Sequence, residues 1–154
     1  MKYNFKFSQL GINDAFGRIE RIRERLKKEL ELKIDDIVLD IGCDKGELVE
    51  FLRPHCEEVV GIDINKDAIS NSKISGLMVA DARKTSFLDG RFTKIVSSHT
   101  IEHIPNIREL FREIDRILRT DGLVILYYPW EIFRGMGTMR NAWIFYKNRT
   151  YAFA

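Results

Sequence analysis

Five runs of apolar residues punctuate the chain: IVLDIG (37–42), VVGIDIN (59–65), LMVADA (77–82), TKIVSSH (93–99) and LVILYYP (123–129). Most of each run is continuously apolar rather than alternating, a pattern a strand needs only when both of its faces are buried. Helical segments lie between the runs. GELVEFLRP is a short helix stopped by Pro54, and KDAISNSKI is a second. PNIRELFREIDRIL sets Ile107, Leu110, Ile114, Ile117 and Leu118 at helical spacing, with Pro105 near its start. Thr120-Asp121-Gly122 is expected to turn the chain into the fifth run, which Pro129 ends. Strands alternating with helices in this way predict an α/β fold of three layers, a doubly wound, mostly parallel sheet. Such sheets hold ligands beyond the carboxyl ends of their strands. The informative residues are therefore expected at Asp40 to Gly46, Asp63, Asp81, Ser97 to His99, and Tyr128 to Trp130.

The 154 residues amount to one domain, long enough to bury a conventional core. We divide them into an N-terminal arm and helix (1–31), a ligand-binding core (32–130) and a short C-terminal segment (131–154). In the arm, Tyr3, Phe5 and Phe7 share one parity, as in a short strand or an arm that docks. Next, GRIERIRERLKKELELK continues a stripe of Phe16, Ile19, Ile22, Leu26 and Leu30, and Glu20, Glu24 and Glu29 interleave with its basic residues. That mixture reads as an ordinary solvated helix face. Residues 130–154 carry Arg134, Arg140, Lys147 and Arg149 against Glu131, a net +3, so the preceding residues carry −1 of the chain's +2. A nearly neutral body argues against a nucleic-acid partner. Cys43 and Cys56 form no CxxC pair and no Cys/His cluster has zinc spacing, so no metal is expected and the thiols are read as reduced. Met1 to Leu10 lacks an apolar core of signal-peptide length, and no stretch has the length of a membrane span. A cytoplasmic location is the expectation.

The turn VLDIGCDKGE poses the chemical question. A glycine turn after the first strand, with an acid about 20 residues on, suits either a dinucleotide or a cationic nucleoside cofactor. A dinucleotide rests its pyrophosphate on a GxGxxG turn. Here Gly42 is followed by Cys43-Asp44-Lys45-Gly46, without the middle glycine, and Asp40 and Asp44 place negative charge where phosphates would lie. S-adenosylmethionine has no phosphate and carries a sulfonium and an ammonium, which carboxylates attract. Asp63 is placed to accept from ribose hydroxyls and Asp81 from the adenine amine, although Asp81 taken alone also suits a helix cap. Charge sign favours the cationic cofactor.

These residues carry a family resemblance. VLDIGCDKGE, VVGIDIN and VADARK resemble the first three strand motifs of class I S-adenosylmethionine-dependent methyltransferases. SSHTIEHIPNIRELFREIDRILRTDG, leading into LVILYYP, is similar to the fourth- and fifth-strand region of their small-molecule, UbiE-like branch. The resemblance spans about residues 32–130 and implies a Rossmann-like methyltransferase fold with a shortened C-terminal region. It implies that Asp40 and the backbone of Gly42 and Gly46 hold the methionine end, with Cys43 and Asp44 in the same turn. Asp63 would take the ribose, Ile64 would pack on adenine, and Asp81 with the backbone of Ala82 would read the adenine edge. Ser97 and Ser98 would underlie the methionine amine, and His99 would line the transfer face. Asp44 stands where the family has a glycine, and Cys43 is expected to be a small buried residue rather than a nucleophile.

Methyl transfer from a sulfonium depends mainly on alignment, and a base helps where a hydroxyl acceptor must lose its proton. His99 and His103 are the candidate bases. His103 also suits a helix cap or a bond to a backbone carbonyl. SSHT is not the Asn/Asp-Pro-Pro-Tyr of enzymes methylating exocyclic amines, and no Pro-Cys nucleophile is present. A small-molecule, sugar, lipid or quinone-like acceptor remains. The alternative is an inactive cofactor-binding module acting with a partner protein. In the tail, AWIFY and TYAFA are expected to form a compressed hairpin on the fifth strand. A homodimer through this region is the other way to cover that edge, and GMGTM is read as a loop over the acceptor pocket.

Overall fold

In the computed structural model, which describes residues 7–8, 15–129, 141–147 and 150–153, all five apolar runs contribute strands. The chain runs β1 (Phe7–Ser8), α1 (Ala15–Leu30), β2 (Ile37–Ile41), α2 (Glu47–Leu52), β3 (Glu58–Asp63), α3 (Lys66–Ser70), β4 (Leu77–Val79), β5 (Phe92–Ser98), α4 (Ile107–Ile117), β6 (Leu118–Pro129), β7 (Asn141–Lys147) and β8 (Thr150–Phe153). The sheet order is β1-β7-β6-β5-β2-β3-β4, with β8 also paired to β7. Strands β4, β3, β2, β5 and β6 are mutually parallel, and β7 and β8 are antiparallel additions. The chain leaves β2 toward β3 and β4, then returns to β2's other side with β5. This reversal opens a crevice at the carboxyl ends of β2 and β5.

Side-chain parity sorts the strands into two cores. Leu39 and Ile41 of β2, Val60 and Ile62 of β3, and Val124 and Leu126 of β6 pack with Leu110, Ile114 and Ile117 of α4. The alternate residues Val38, Val59, Val96, Leu123, Ile125 and Tyr127 pack with Ile22, Leu26 and Leu30 of α1 and Val49 and Leu52 of α2. Both faces are therefore buried, as continuous apolar runs require. The same parity carries Asp40 to the α1 and α2 side. There it is 2% exposed, a carboxylate set among aliphatic residues.

Gly61 of β3 needs its missing side chain for space. A Cβ there would lie 2.7 Å from Leu77 Cδ2 and 2.8 Å from both Cys43 Sγ and Val49 Cγ2.

Three details differ from the sequence reading. Leu118 leaves the helical stripe and joins β6, because it pairs with Phe92. The expected turn at 120–122 is instead a bulge inside β6, since the next pair is Lys94 with Leu123. An Arg119–Asp121 ion pair spans it. The third apolar run is a strand only through Val79. No helix covers residues 80–91; a polar clasp holds that loop onto α4 instead. There the buried Glu113 accepts from the Thr85 N–H at 2.7 Å and hydroxyl at 2.5 Å. Arg116 donates to Glu113, to the Phe87 carbonyl and to Asp89. Burial opposes ionisation of Glu113, but these donors outweigh it and hold the carboxyl below its usual range.

The tail forms the expected hairpin on its own chain. β7 pairs along β6 from Leu123–Lys147 to Pro129–Asn141, and β8 returns along β7. β1 pairs with the start of β7, so the N-terminal arm docks as well. Trp130, GMGTM and the first residues of the arm lie outside the described residues.

Candidate active site

The turn after β2 is built by two left-handed glycines and stitched to β3. Gly42 (φ 78°) and Gly46 (φ 84°) adopt conformations that a side chain disfavours. The N–H groups of Gly42 and Cys43 both donate to the Ile62 carbonyl, at 2.8 and 3.1 Å. A Cβ on Gly42 would lie 2.0 Å from Thr100 Oγ1, so backbone shape and space both demand glycine. Asp44 is also left-handed (φ 47°), a conformation Asp tolerates better than most residues. Its side chain is exposed, and its N–H donates to Asp63 Oδ2 at 2.9 Å.

Gly42 borders two cavities. The larger, about 250 Å³, is lined by Asp40, Cys43, Asp44, Ser98 and His99 together with Ile22, Arg23 and Leu26 of α1. The smaller, about 110 Å³, is lined by Asp63, Ile64, Asp81, Ala82, Arg83, Thr100 and His103. The sequence-derived residues thus divide between them. Gly46 supports the turn without lining either, and Ser97 is buried, its hydroxyl donating to the Ile41 carbonyl at 2.9 Å. The two histidines part company: His99 lines the larger cavity and His103 the smaller.

Burial, and then the nearby Asp63 charge, push the Asp40 carboxyl up to about 7. Cys43 is pushed up to about 12, chiefly by burial and then by Asp40 and Asp63, so its thiol stays neutral, as a packing residue should. Asp63 accepts an N–H on each oxygen, from Asp44 and Asn65, and both oxygens retain acceptor capacity. Ile64 is 70% exposed beside it. Asp81 is engaged more fully: the Arg83 N–H and guanidinium bond it at 2.6–3.2 Å and hold its carboxyl low. His99 has a left-handed backbone (φ 56°), its N–H donates to the Tyr127 carbonyl at 2.8 Å, and its ring lies 4.8 Å from that of Tyr127. Such backbone outliers collect at functional sites.

Arg23, Leu26, Thr100 and Arg83 were not singled out as site residues from the sequence. Arg23 and Leu26 belong to a helix that looks merely solvated, and Thr100 shows its role only through its contact with Gly42. Among the described residues no group of acidic, His or Cys side chains is arranged to hold a metal ion. None of the described helices is long and apolar enough to cross a membrane.

A methyltransferase-domain family model matches residues 13–152. Sterol 4-C-methyltransferase of Caenorhabditis elegans is 27% identical over 125 residues, covering 70% of this chain and 37% of that enzyme. Demethylmenaquinone methyltransferase of Lactobacillus johnsonii is 27% identical over 131 residues, covering 77% of this chain and 54% of the enzyme. The crystal structure of the PH0226 protein from Pyrococcus horikoshii superposes with a TM-score of 0.65 at 29% identity, covering 77% of this chain and 60% of that one. The chain thus spans about a third to three-fifths of the length of these proteins.

Proposed function

The chain belongs to the methyltransferase-domain family, and from that premise we propose that it binds S-adenosylmethionine and methylates a small-molecule acceptor. The observation that carries this reading is the sign of charge at the glycine turn. Asp40, Asp44 and Asp63 crowd the backbone that a ligand must approach, which suits a sulfonium and an ammonium and opposes a pyrophosphate.

The chain's residues fit the cofactor in parts. Gly42 lines both cavities, so a ligand that fills the two together must pass over its backbone. The larger cavity suits the methionyl end, with Asp40 and Ser98 on its wall, and the smaller suits the nucleoside. Asp63 has acceptor capacity for two ribose hydroxyls, and the exposed Ile64 offers adenine an apolar face. Asp81 must share its carboxylate between Arg83 and the adenine amine. The cofactor, when bound, supplies an electrophilic methyl group whose transfer needs alignment above all. His99 stands in the methionyl-side cavity, where it would take the proton of a hydroxyl acceptor. His103, in the other cavity, would act at the nucleoside end. The relatives named for sterol and demethylmenaquinone substrates support a small apolar acceptor.

A second reading, an inactive cofactor-binding module serving a partner, draws support from Asp44, a carboxylate standing where the family has a glycine and lining the larger cavity. Calorimetry with S-adenosylhomocysteine and with NAD tests the cofactor, and NAD binding the tighter would end the reading. Label transfer from methyl-tritiated cofactor to sterol and quinol acceptors separates enzyme from module.

A further inference from the structure

We infer that Arg23 of α1 receives the α-carboxylate of the cofactor's methionyl end, an assignment that rests on the cofactor reading above. Of the residues lining the larger cavity, Asp40, Asp44 and Glu47 are acidic and Arg23 and Lys45 are basic. A methionyl group presents an ammonium and a carboxylate together. The acidic residues suit the first and repel the second, so the carboxylate needs a cation on another wall. α1 supplies that wall, because Ile22 and Leu26 are buried against the core and line the same cavity on either side of Arg23.

The guanidinium is already oriented. Its side chain is 22% exposed; Nη2 pairs with Glu47, and Nη1 lies 3.8 Å from Glu20, beyond hydrogen-bond distance. Glu47 engages only part of a fork that carries five N–H donors, which leaves donors for a second carboxylate in bidentate geometry. Lys45 is the competing cation. It is exposed on the turn itself, and its ammonium is a strongly hydrated point charge with no fork to match a carboxylate.

The experiment compares S-adenosylhomocysteine with its decarboxylated analogue, which keeps the ammonium. Calorimetry is run on the wild type, Arg23→Gln and Lys45→Gln, with circular dichroism confirming that each is folded. The wild type is expected to prefer the carboxylate ligand by about 10- to 100-fold. Arg23→Gln should lose that preference while binding the decarboxylated analogue as the wild type does, and Lys45→Gln should keep it. A preference that survives in Arg23→Gln, or disappears in Lys45→Gln, overturns the assignment. If Arg23→Gln does not fold, Glu47→Gln decides: with its present partner neutralised, Arg23 should hold or raise the preference, and a fall overturns the assignment. A wild type that binds both ligands equally overturns it while the cofactor reading stands. A wild type that binds neither overturns both.

Discussion

Neutralising Asp40 should convert a pH-dependent cofactor site into a flat one. Burial and the Asp63 charge raise its carboxyl from 3.8 to about 7, so the folded apoprotein binds the proton more tightly than the unfolded chain. The sign follows from that ordering. Below about 4 the group is neutral in both states and costs nothing, whereas above about 7 it is ionised in both and the fold bears the full penalty. The gap corresponds to about 4 kcal/mol, an upper figure because water entering the cavity relieves part of it. Asp40→Asn should therefore stabilise the apoprotein at pH 8, and the advantage should shrink toward pH 5. A cationic ligand reverses the preference by favouring the ionised form. If binding requires the charge, Kd should be steady above pH 8 and weaken about 10-fold by pH 6 and 100-fold by pH 5. Calorimetry at pH 6 in buffers of different ionisation heat should then register the release of nearly one proton on binding. His99 lines the same cavity and is a second ionisable side chain there, so Asp40→Asn is the needed control. Equal pH slopes in the two proteins, or a stability difference independent of pH, would refute the reasoning.

Asp63→Ala should weaken S-adenosylhomocysteine by about 1.5–3 kcal/mol through lost ribose contacts, and unchanged affinity by calorimetry would remove Asp63 from the site. His99→Ala should lower turnover of a hydroxyl acceptor about 10²–10⁴-fold with little effect on cofactor affinity, measured as separate kcat and Kd values. Glu113→Ala leaves Arg116 and Thr85 without their shared acceptor and should cost about 2–4 kcal/mol in urea titrations. Faster hydrogen exchange at residues 83–90 should accompany the loss. Deleting residues 141–154 uncovers the β6 edge from Leu123 to Pro129, and light scattering should show aggregation or a new oligomeric state.

The layers and most strand ends were legible because each depends on local pattern. Continuous apolar runs specify a strand covered on both faces, and the acids at 40, 63 and 81 lie at or just beyond strand ends in the sequence itself. What was hidden depends on partners far along the chain. Thr120-Asp121-Gly122 has turn composition, yet the pairing of Leu118 with Phe92 draws it into a strand as a bulge. The stretch from 80 to 91 is held by Glu113 and Arg116, and no local pattern announces a clasp made by a later helix. His99 and His103 are four residues apart, but His99's left-handed backbone and the following 3-10 turn at Ile101–His103 direct them to different cavities. Arg23 lies among arginines of similar appearance, and only the packing of α1 selects it.

Gly61 bears a different kind of constraint from Gly42. The left-handed backbone of Gly42 makes any replacement there strained, whatever its neighbours do. Gly61 has no such backbone; its exclusion of larger residues is a claim on volume shared by Leu77, Cys43 and Val49. A constraint of volume is open to genetic suppression, whereas one of chirality is not. Selection for second-site revertants of Gly61→Ala should therefore return smaller residues at 77 or 49, and the same selection on Gly42→Ala should return only the original codon. Across diverged sequences, position 61 would drift together with those neighbours while position 42 stayed fixed.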